Sequence, residues 1–291
     1  MIALIAGTGD LPSEVFKALT AKGEAPLVCA MEGFVPDLNP DITFRIEHLG
    51  SLLETLATLG IKRVCMAGAV KRPNIDPTQI DERTLPLVPR VQSAMALGDD
   101  GTLREIIAIL EEFGMQVVGA AELVPELLPP EGVLTKAQPN NTMDANAMLG
   151  VQTVERMGVA DSGQACVIKD RRILAEEGPD GTDAMIRRFV PTHSDAQGFG
   201  PLGMIDDLVS ASADWLTGIA GTGKGAMLYK APKPQQDRRA DLPVIGPETA
   251  LVAAEAGFAG IIIEQGGVMV LDRETVVQTL DANDMFLWVR A

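Results

Sequence analysis

Residues 1–19 read M-I-A-L-I-A-G-T-G-D-L-P-S-E-V-F-K-A-L, and this stretch decides the fold. The six residues 1–6 have the continuous apolar character of a parallel strand buried on both faces. Gly7-Thr8-Gly9-Asp10 breaks the run, after which Leu11, Val15, Phe16 and Leu19 recur at helical spacing. Pro12 falls in the first turn, where a missing N–H costs nothing. A strand, a glycine turn and a helix start together aim backbone N–H groups and a helix dipole at an anion. Only part of the dinucleotide fingerprint is present. Gly7 and Gly9 supply G-x-G, Pro12 interrupts the rest, and no acidic residue closes an evident second strand.

The pattern repeats outward. Residues 25–31 read as a second strand, 42–47 as an extended segment, and 51–59 as an amphipathic helix carrying Leu52, Leu53, Leu56 and Leu59. Residues 63–70, R-V-C-M-A-G-A-V, form another buried strand that empties through Val70 into Lys71-Arg72-Pro73-Asn74. Ligands of open α/β sheets bind beyond the carboxyl ends of strands, so this basic turn is a candidate anion site. Residues 78–97 read as mostly helical, interrupted by Pro86 and Pro89. A clean helix follows at 102–113 and a strand at 116–120. Asp99 and Asp100 precede that helix; they serve either as its cap or as carboxylates for Mg²⁺. Alternating strand and helix predicts a doubly wound parallel, Rossmann-like sheet over residues 1–130, bounded by Pro125, Pro129, Pro130 and Gly132.

Residues 131–291 predict a second α/β domain with a mixed sheet. A helix at 145–157 is followed by a hairpin whose strands, 165–168 and 172–175, flank Lys169-Asp170-Arg171. Thr182 and Asp183 precede a helix at 184–190 and read as its cap. Residues 191–225 read as an exposed loop. It ends in G-x-x-x-x-G-K at 218–224, but Gly225 stands where a Walker site needs Ser or Thr for Mg²⁺, so that site is rejected. A short apolar strand at 225–229 then opens into K-A-P-K-P-Q-Q-D-R-R-A-D-L-P, residues 230–243. Lys230, Lys233, Gln235, Gln236, Arg238 and Arg239 suit an oxygen-rich anion, and Asp241 is left for chemistry. A helix at 248–256, strands at 260–264 and 267–271, a helix at 273–280 and a strand at 285–289 complete the chain.

Composition excludes several classes. The formal charge of −16 opposes a nucleic-acid partner, and 4% aromatic residues leave few stacking platforms. Cys29, Cys65 and Cys166 lie in apolar segments without metal-ligand spacing and read as buried thiols of a reducing compartment. His48 and His193 stand far apart, which gives neither a zinc site nor a Ser-His triad much to work with. The start at residues 1–6 lacks a basic leader, and no apolar run approaches the ~20 residues of a membrane span. The expectation is a cytoplasmic protein, at most peripheral on a membrane.

Six motifs then point to one family. They are L-I-A-G-x-G-x-L-P (4–12), A-G-A-V-K-R-P (67–73), G-D-D-G-T-L-R (98–104), E-G-x-D-G-T-D-A-M-I-R-R (177–188), K-A-P-K-P-Q-Q-D-R-R-A-D-L-P-V-I-G (230–246) and A-G-F-A-G-I (256–261). End to end, the chain resembles the UDP-2,3-diacylglucosamine pyrophosphatases of the lipid A pathway, in the form unrelated to metallophosphoesterases. The resemblance implies water attack on the α-phosphorus of UDP-2,3-diacylglucosamine, giving UMP and 2,3-diacylglucosamine 1-phosphate. It also implies Mg²⁺ dependence, substrate held between two α/β domains, and work at the inner face of the inner membrane. It makes Asp241 essential, either as a Mg²⁺ ligand or as the group that orients the water. The candidate substrate-binding residues are Gly9, Leu11, Val70, Lys71, Arg72, Asp99, Thr182, Asp183, Lys230, Lys233 and Gln236. A homodimer is compatible with this reading. The chain departs from the family in carrying Thr8 to Asp10 where a further glycine and a small residue are common, and Ala69 where Asn is common.

Overall fold

The computed structural model describes residues 1–70, 73–96, 98–140, 143–191 and 223–291. They form two compact units. One comprises Met1–Leu127 with Gln236–Leu242, the other Leu128–Gln235 with Pro243–Ala291.

The first unit holds five parallel strands, β1 (Ile2–Ala6), β2 (Leu27–Met31), β3 (Ile42–Phe44), β4 (Arg63–Ala67) and β5 (Gln116–Val117), in the order β3-β2-β1-β4-β5. The central strand is apolar because both its faces are covered. On one side lie α2 (Leu49–Thr58) and α4 (Asp99–Glu112), whose Leu52, Leu53, Leu56, Ile107 and Leu110 join Ala3, Cys29 and Val64 in one core. On the other, α1 (Leu11–Ala21) and the short α5 (Ala120–Leu123) pack on β1 and β4, with Val15 and Leu19 buried. Between α2 and α4 the predicted long helix shrinks to α3 (Val88–Met95), preceded by two 3₁₀ turns at Pro77–Gln79 and Leu85–Leu87. Pro77, Pro86 and Pro89 each stand in a first turn, where proline is tolerated, and so cut the segment into short pieces. The 42–47 segment likewise leaves the sheet after Phe44 for a 3₁₀ turn at Ile46–His48.

The strand order places a switch point between β1 and β4, and both strands end there in glycine turns. Gly7 N–H donates to the Ala67 carbonyl at 2.8 Å, and Thr8 and Ala69 exchange backbone hydrogen bonds at 2.9 Å. The approach is close enough to demand glycine. A Cβ on Gly7 would meet the Ala69 carbonyl oxygen at 2.6 Å. At Gly68, with φ +89, it would meet Gly7, Thr8 and the Pro12 ring at 2.8 Å.

The second unit carries the mixed sheet β6-β13-β11-β9-β7-β8. Its strands are β6 (Gly132–Val133), β7 (Ala165–Lys169), β8 (Arg172–Glu176), β9 (Met227–Lys230), β11 (Gly260–Glu264) and β13 (Phe286–Arg290). Here β9, β11 and β13 run parallel, while β7 is antiparallel to β9 and forms a hairpin with β8. Asp170 and Arg171 turn that hairpin with φ of 50° and 60°, the conformation a two-residue turn needs. A separate pair, β10 (Val244–Ile245) and β12 (Met269–Val270), is parallel. It absorbs what the sequence reads as a longer strand at 267–271. Residues alternate between faces. Leu228, Ile261 and Ile263 meet α7 (Thr182–Arg187), α8 (Pro247–Glu255) and α9 (Arg273–Ala282), whereas Met227, Tyr229 and Ile262 meet α6 (Met143–Val159). The α6 helix lies tight on β9 because Gly150 has no side chain. A Cβ there would stand 2.4 Å from Tyr229.

Candidate active site

The buried Lys230 ends β9 at the middle of the second sheet, paired in register with Ala165 on β7 and Ile263 on β11. A lysine only 6% exposed needs hydrogen-bonded company. Its Nζ donates to Thr182 Oγ1 at 2.6 Å, Thr182 Oγ1 donates to Glu177, and the other Glu177 oxygen accepts the Gln164 N–H at 2.7 Å. Thr182 can reach Lys230 because it opens α7 on the face of the sheet that Lys230 shares with Leu228. Neither Thr182 nor Asp183 caps that helix. The cap is Gly181, at φ 89°, and both predicted cap residues sit in the first turn. Asp183 accepts a hydrogen bond from Thr249 of α8 at 2.8 Å. Beyond Lys230 the prolines 232 and 234 keep the chain irregular, and Gly158 of α6 allows Pro234 to lie close by. Lys233 pairs with Asp161 at 2.6 Å, a position that sequence reading did not single out.

The following segment, Gln236–Leu242, belongs with the first unit rather than with the C-terminal domain to which sequence reading assigned Asp241. The cause is local packing. Ala240 sits on the core of α2 and α4, and Arg239 bonds Glu111 of α4 at 2.6 Å and Asp237 at 2.7 Å. Gly119 leaves room for this chain, since a Cβ there would lie 3.3 Å from Arg239 Cα. Hydrogen bonds from the Arg239 guanidinium hold the Asp237 carboxyl below the usual carboxylate range, with the Arg104 charge adding to the effect. Arg239 is therefore a structural anchor and not a spare cation. The anchored turn carries Asp241, whose N–H donates to the Asp237 carbonyl at 3.1 Å and whose Oδ2 accepts the side-chain amide of the buried Gln236.

The segment lies along α4, the helix that begins with Asp99 and Asp100. Gly98, at φ 98°, caps it, and the two aspartates occupy its first turn, where the helix dipole favours them. Asp100 lies 3.8 Å from Arg104. At the switch point, Gly9 has φ +92 and open space around it, Leu11 begins α1, and Val70 is 42% exposed. The bridge between Thr8 and Ala69 brings these three together while occupying the N–H groups of Gly7 and Thr8. Lys71 and Arg72 lie outside the described residues, as do residues 192–222 with most of the rejected Walker-like stretch.

An acidic residue does close the second strand, because β2 stops at Met31 and Glu32 follows directly. Among the described residues, no three His, Cys, Asp or Glu converge as a metal site. Mg²⁺ needs no such cage. It takes one or two carboxylates together with water and substrate phosphate oxygens, a donor set that Asp241 fits.

Two α/β units whose buried polar groups gather at strand ends, one of them presenting an anchored carboxylate, define a two-domain α/β protein with the makings of a hydrolase. The chain belongs to the LpxI family. The model of the family's N-terminal domain matches residues 1–127 and that of its C-terminal domain residues 130–288. Over 289 residues, 98% of this chain and 96% of the relative, it is 33% identical to the UDP-2,3-diacylglucosamine pyrophosphatase LpxI of Caulobacter vibrioides.

Proposed function

We propose that this protein is a UDP-2,3-diacylglucosamine pyrophosphatase of lipid A synthesis. Water attacks the α-phosphorus and the products are UMP and 2,3-diacylglucosamine 1-phosphate. The observation that carries the reading is the anchored Asp241, held by Gln236 and by the Asp237–Arg239–Glu111 chain within a segment otherwise rich in cations. An anion binder gains nothing from such a carboxylate; a hydrolase does.

Phosphoanhydride hydrolysis asks the protein for position and charge compensation more than for covalent chemistry. Lys230, Lys233, Lys71 and Arg72 neutralise phosphate oxygens, and the first turns of α1, α4 and α7, with Gly9, Leu11, Val70, Asp99, Thr182 and Asp183, orient the substrate. Asp241 either orients the attacking water and takes its proton or holds Mg²⁺, which would supply further charge neutralisation at the pyrophosphate. No helix among the described residues is long and apolar enough to cross a membrane. We place the protein in the cytoplasm, meeting its lipid substrate peripherally at the inner membrane.

The test is turnover of UDP-2,3-diacylglucosamine with Mg²⁺ in H₂¹⁸O. Label in UMP is the expected result, and Asp241→Ala abolishes turnover without unfolding the chain. Label in the sugar phosphate overturns the site of attack. Binding without products, or an active Asp241→Ala enzyme, overturns the assignment.

A further inference from the structure

At the carboxyl ends of β2 and β3 lies a cavity of about 330 Å³, lined in part by Glu32, Gly33, Arg45, Glu47 and Asn74. That is the small end of the range for ligand pockets. Its position follows from the strand register. Ala6 of β1 is opposite Ala30 of β2, so Thr8 and Glu32 stand two residues past the same paired position on neighbouring strands. In doubly wound folds a phosphate docks at the turn after β1, and an acid about 20 residues on receives a ribose hydroxyl.

We propose that this pocket takes the ribose of the substrate's nucleotide, with Glu32 accepting hydrogen bonds from its vicinal diol. The inference rests on the activity proposed above.

Each polar group in the pocket bears on that assignment. Glu47 is buried and already engaged, accepting the Asp76 N–H at 2.8 Å and Arg45 Nη2 at 3.0 Å. It forms the floor and is not a free acceptor. Glu32 is different. Its backbone is pinned, the N–H donating to the Phe44 carbonyl at 2.8 Å, while its carboxylate is largely exposed and only loosely paired with Arg45 at 3.7 Å. Arg45 Nε is buried and, among the described residues, has no hydrogen-bond partner, so the guanidinium is incompletely held. Gly33, at φ +87 with nothing within 4 Å of a Cβ, leaves the space beside Glu32 open. Among the described lining residues, two carboxylates face one guanidinium, a balance that suits a neutral donor better than an anion. A neutral diol donates to Glu32, and the exposed Asn74 amide can meet its oxygens or the base.

The experiment compares UDP-2,3-diacylglucosamine with its 2′-deoxyuridine counterpart, on the wild-type protein and on Glu32→Gln. A hydrogen bond to a charged acceptor sets a preference of about tenfold or more. The wild type is expected to show that factor as a higher KM for the deoxy substrate, at similar kcat. Glu32→Gln is expected to raise KM for the ribo substrate by about the same factor and to treat both substrates alike. A purely structural role for Glu32 would lower stability but leave the preference intact. A wild type that hydrolyses both substrates equally well, or a Glu32→Gln enzyme that keeps the preference, overturns this inference and leaves the proposed activity standing. A wild type that hydrolyses neither overturns both.

Discussion

Lys230, at the end of a central strand, donates its ammonium hydrogen to the hydroxyl of Thr182, at the start of a helix 48 residues earlier in the chain. This joins two predicted substrate residues into one buried unit backed by Glu177. Thr182→Val keeps the volume and removes the hydroxyl. It is expected to cost about 1–3 kcal/mol of stability, the range for a buried polar partner lost. Turnover should fall at least tenfold, because Lys230 then loses the group that aims it. Thr182→Ser should restore both, read by urea unfolding and steady-state kinetics.

The hydrogen bond from Gln236 to Asp241 supports a second expectation. Gln236→Leu removes a donor to the carboxylate while Arg239, Asp237 and Glu111 still hold the turn. The variant should therefore lower kcat by about tenfold, the effect of roughly 1.4 kcal/mol in the transition state, with a much smaller change in unfolding midpoint. A large loss of stability with unchanged kcat would assign Gln236 to folding alone.

The parallel sheet of the first unit was legible because strands buried on both faces are written as unbroken apolar runs, and residues 1–6 and 64–67 are of that kind. The β7–β8 hairpin was legible for a local reason too, two short apolar runs on either side of the charged Lys169-Asp170-Arg171. What sequence reading missed is non-local. Nothing near Lys233 in the chain announces Asp161, and nothing near Arg239 announces Glu111, since each pair is made by packing across many residues. Helix caps failed for another reason. Aspartate and threonine are common caps, yet glycine at positive φ takes the role at Gly98 and Gly181, so Asp99, Asp100, Thr182 and Asp183 fall one or two residues inside, in the first turn. Its neighbours in sequence place the Asp241 segment in the second domain, whereas Ala240 and Arg239 commit it to the first unit.

Gly68 tests how tightly the switch point is built. Alanine there must adopt φ +89 and place its methyl 2.8 Å from Gly7, Thr8 and Pro12. Left-handed strain and overpacking each cost about 1–3 kcal/mol, so Gly68→Ala should destabilise by on the order of 3 kcal/mol. The urea midpoint should fall with an unchanged m-value. A near-neutral outcome would mean that the two turns separate at little cost.

Glu47 gives the fold a dependence on acid. The Asp76 N–H, followed by the Arg45 guanidinium, holds its carboxyl at about 2, against an ordinary 4.5. A group whose pKa is lower in the folded state stabilises that state above the unfolded value, and the contribution disappears as pH falls through the folded value. The stabilisation from Glu47 is thus complete near neutral pH and is lost between about 4.5 and 2. Glu47→Gln cannot ionise and cannot pair with Arg45. It should be less stable than the wild type at pH 7, and the difference should shrink as pH drops through that window. Urea unfolding at a series of pH values measures it directly. A gap between the two proteins that stays constant from pH 7 to pH 2 would show that the loss comes from packing and not from the charge.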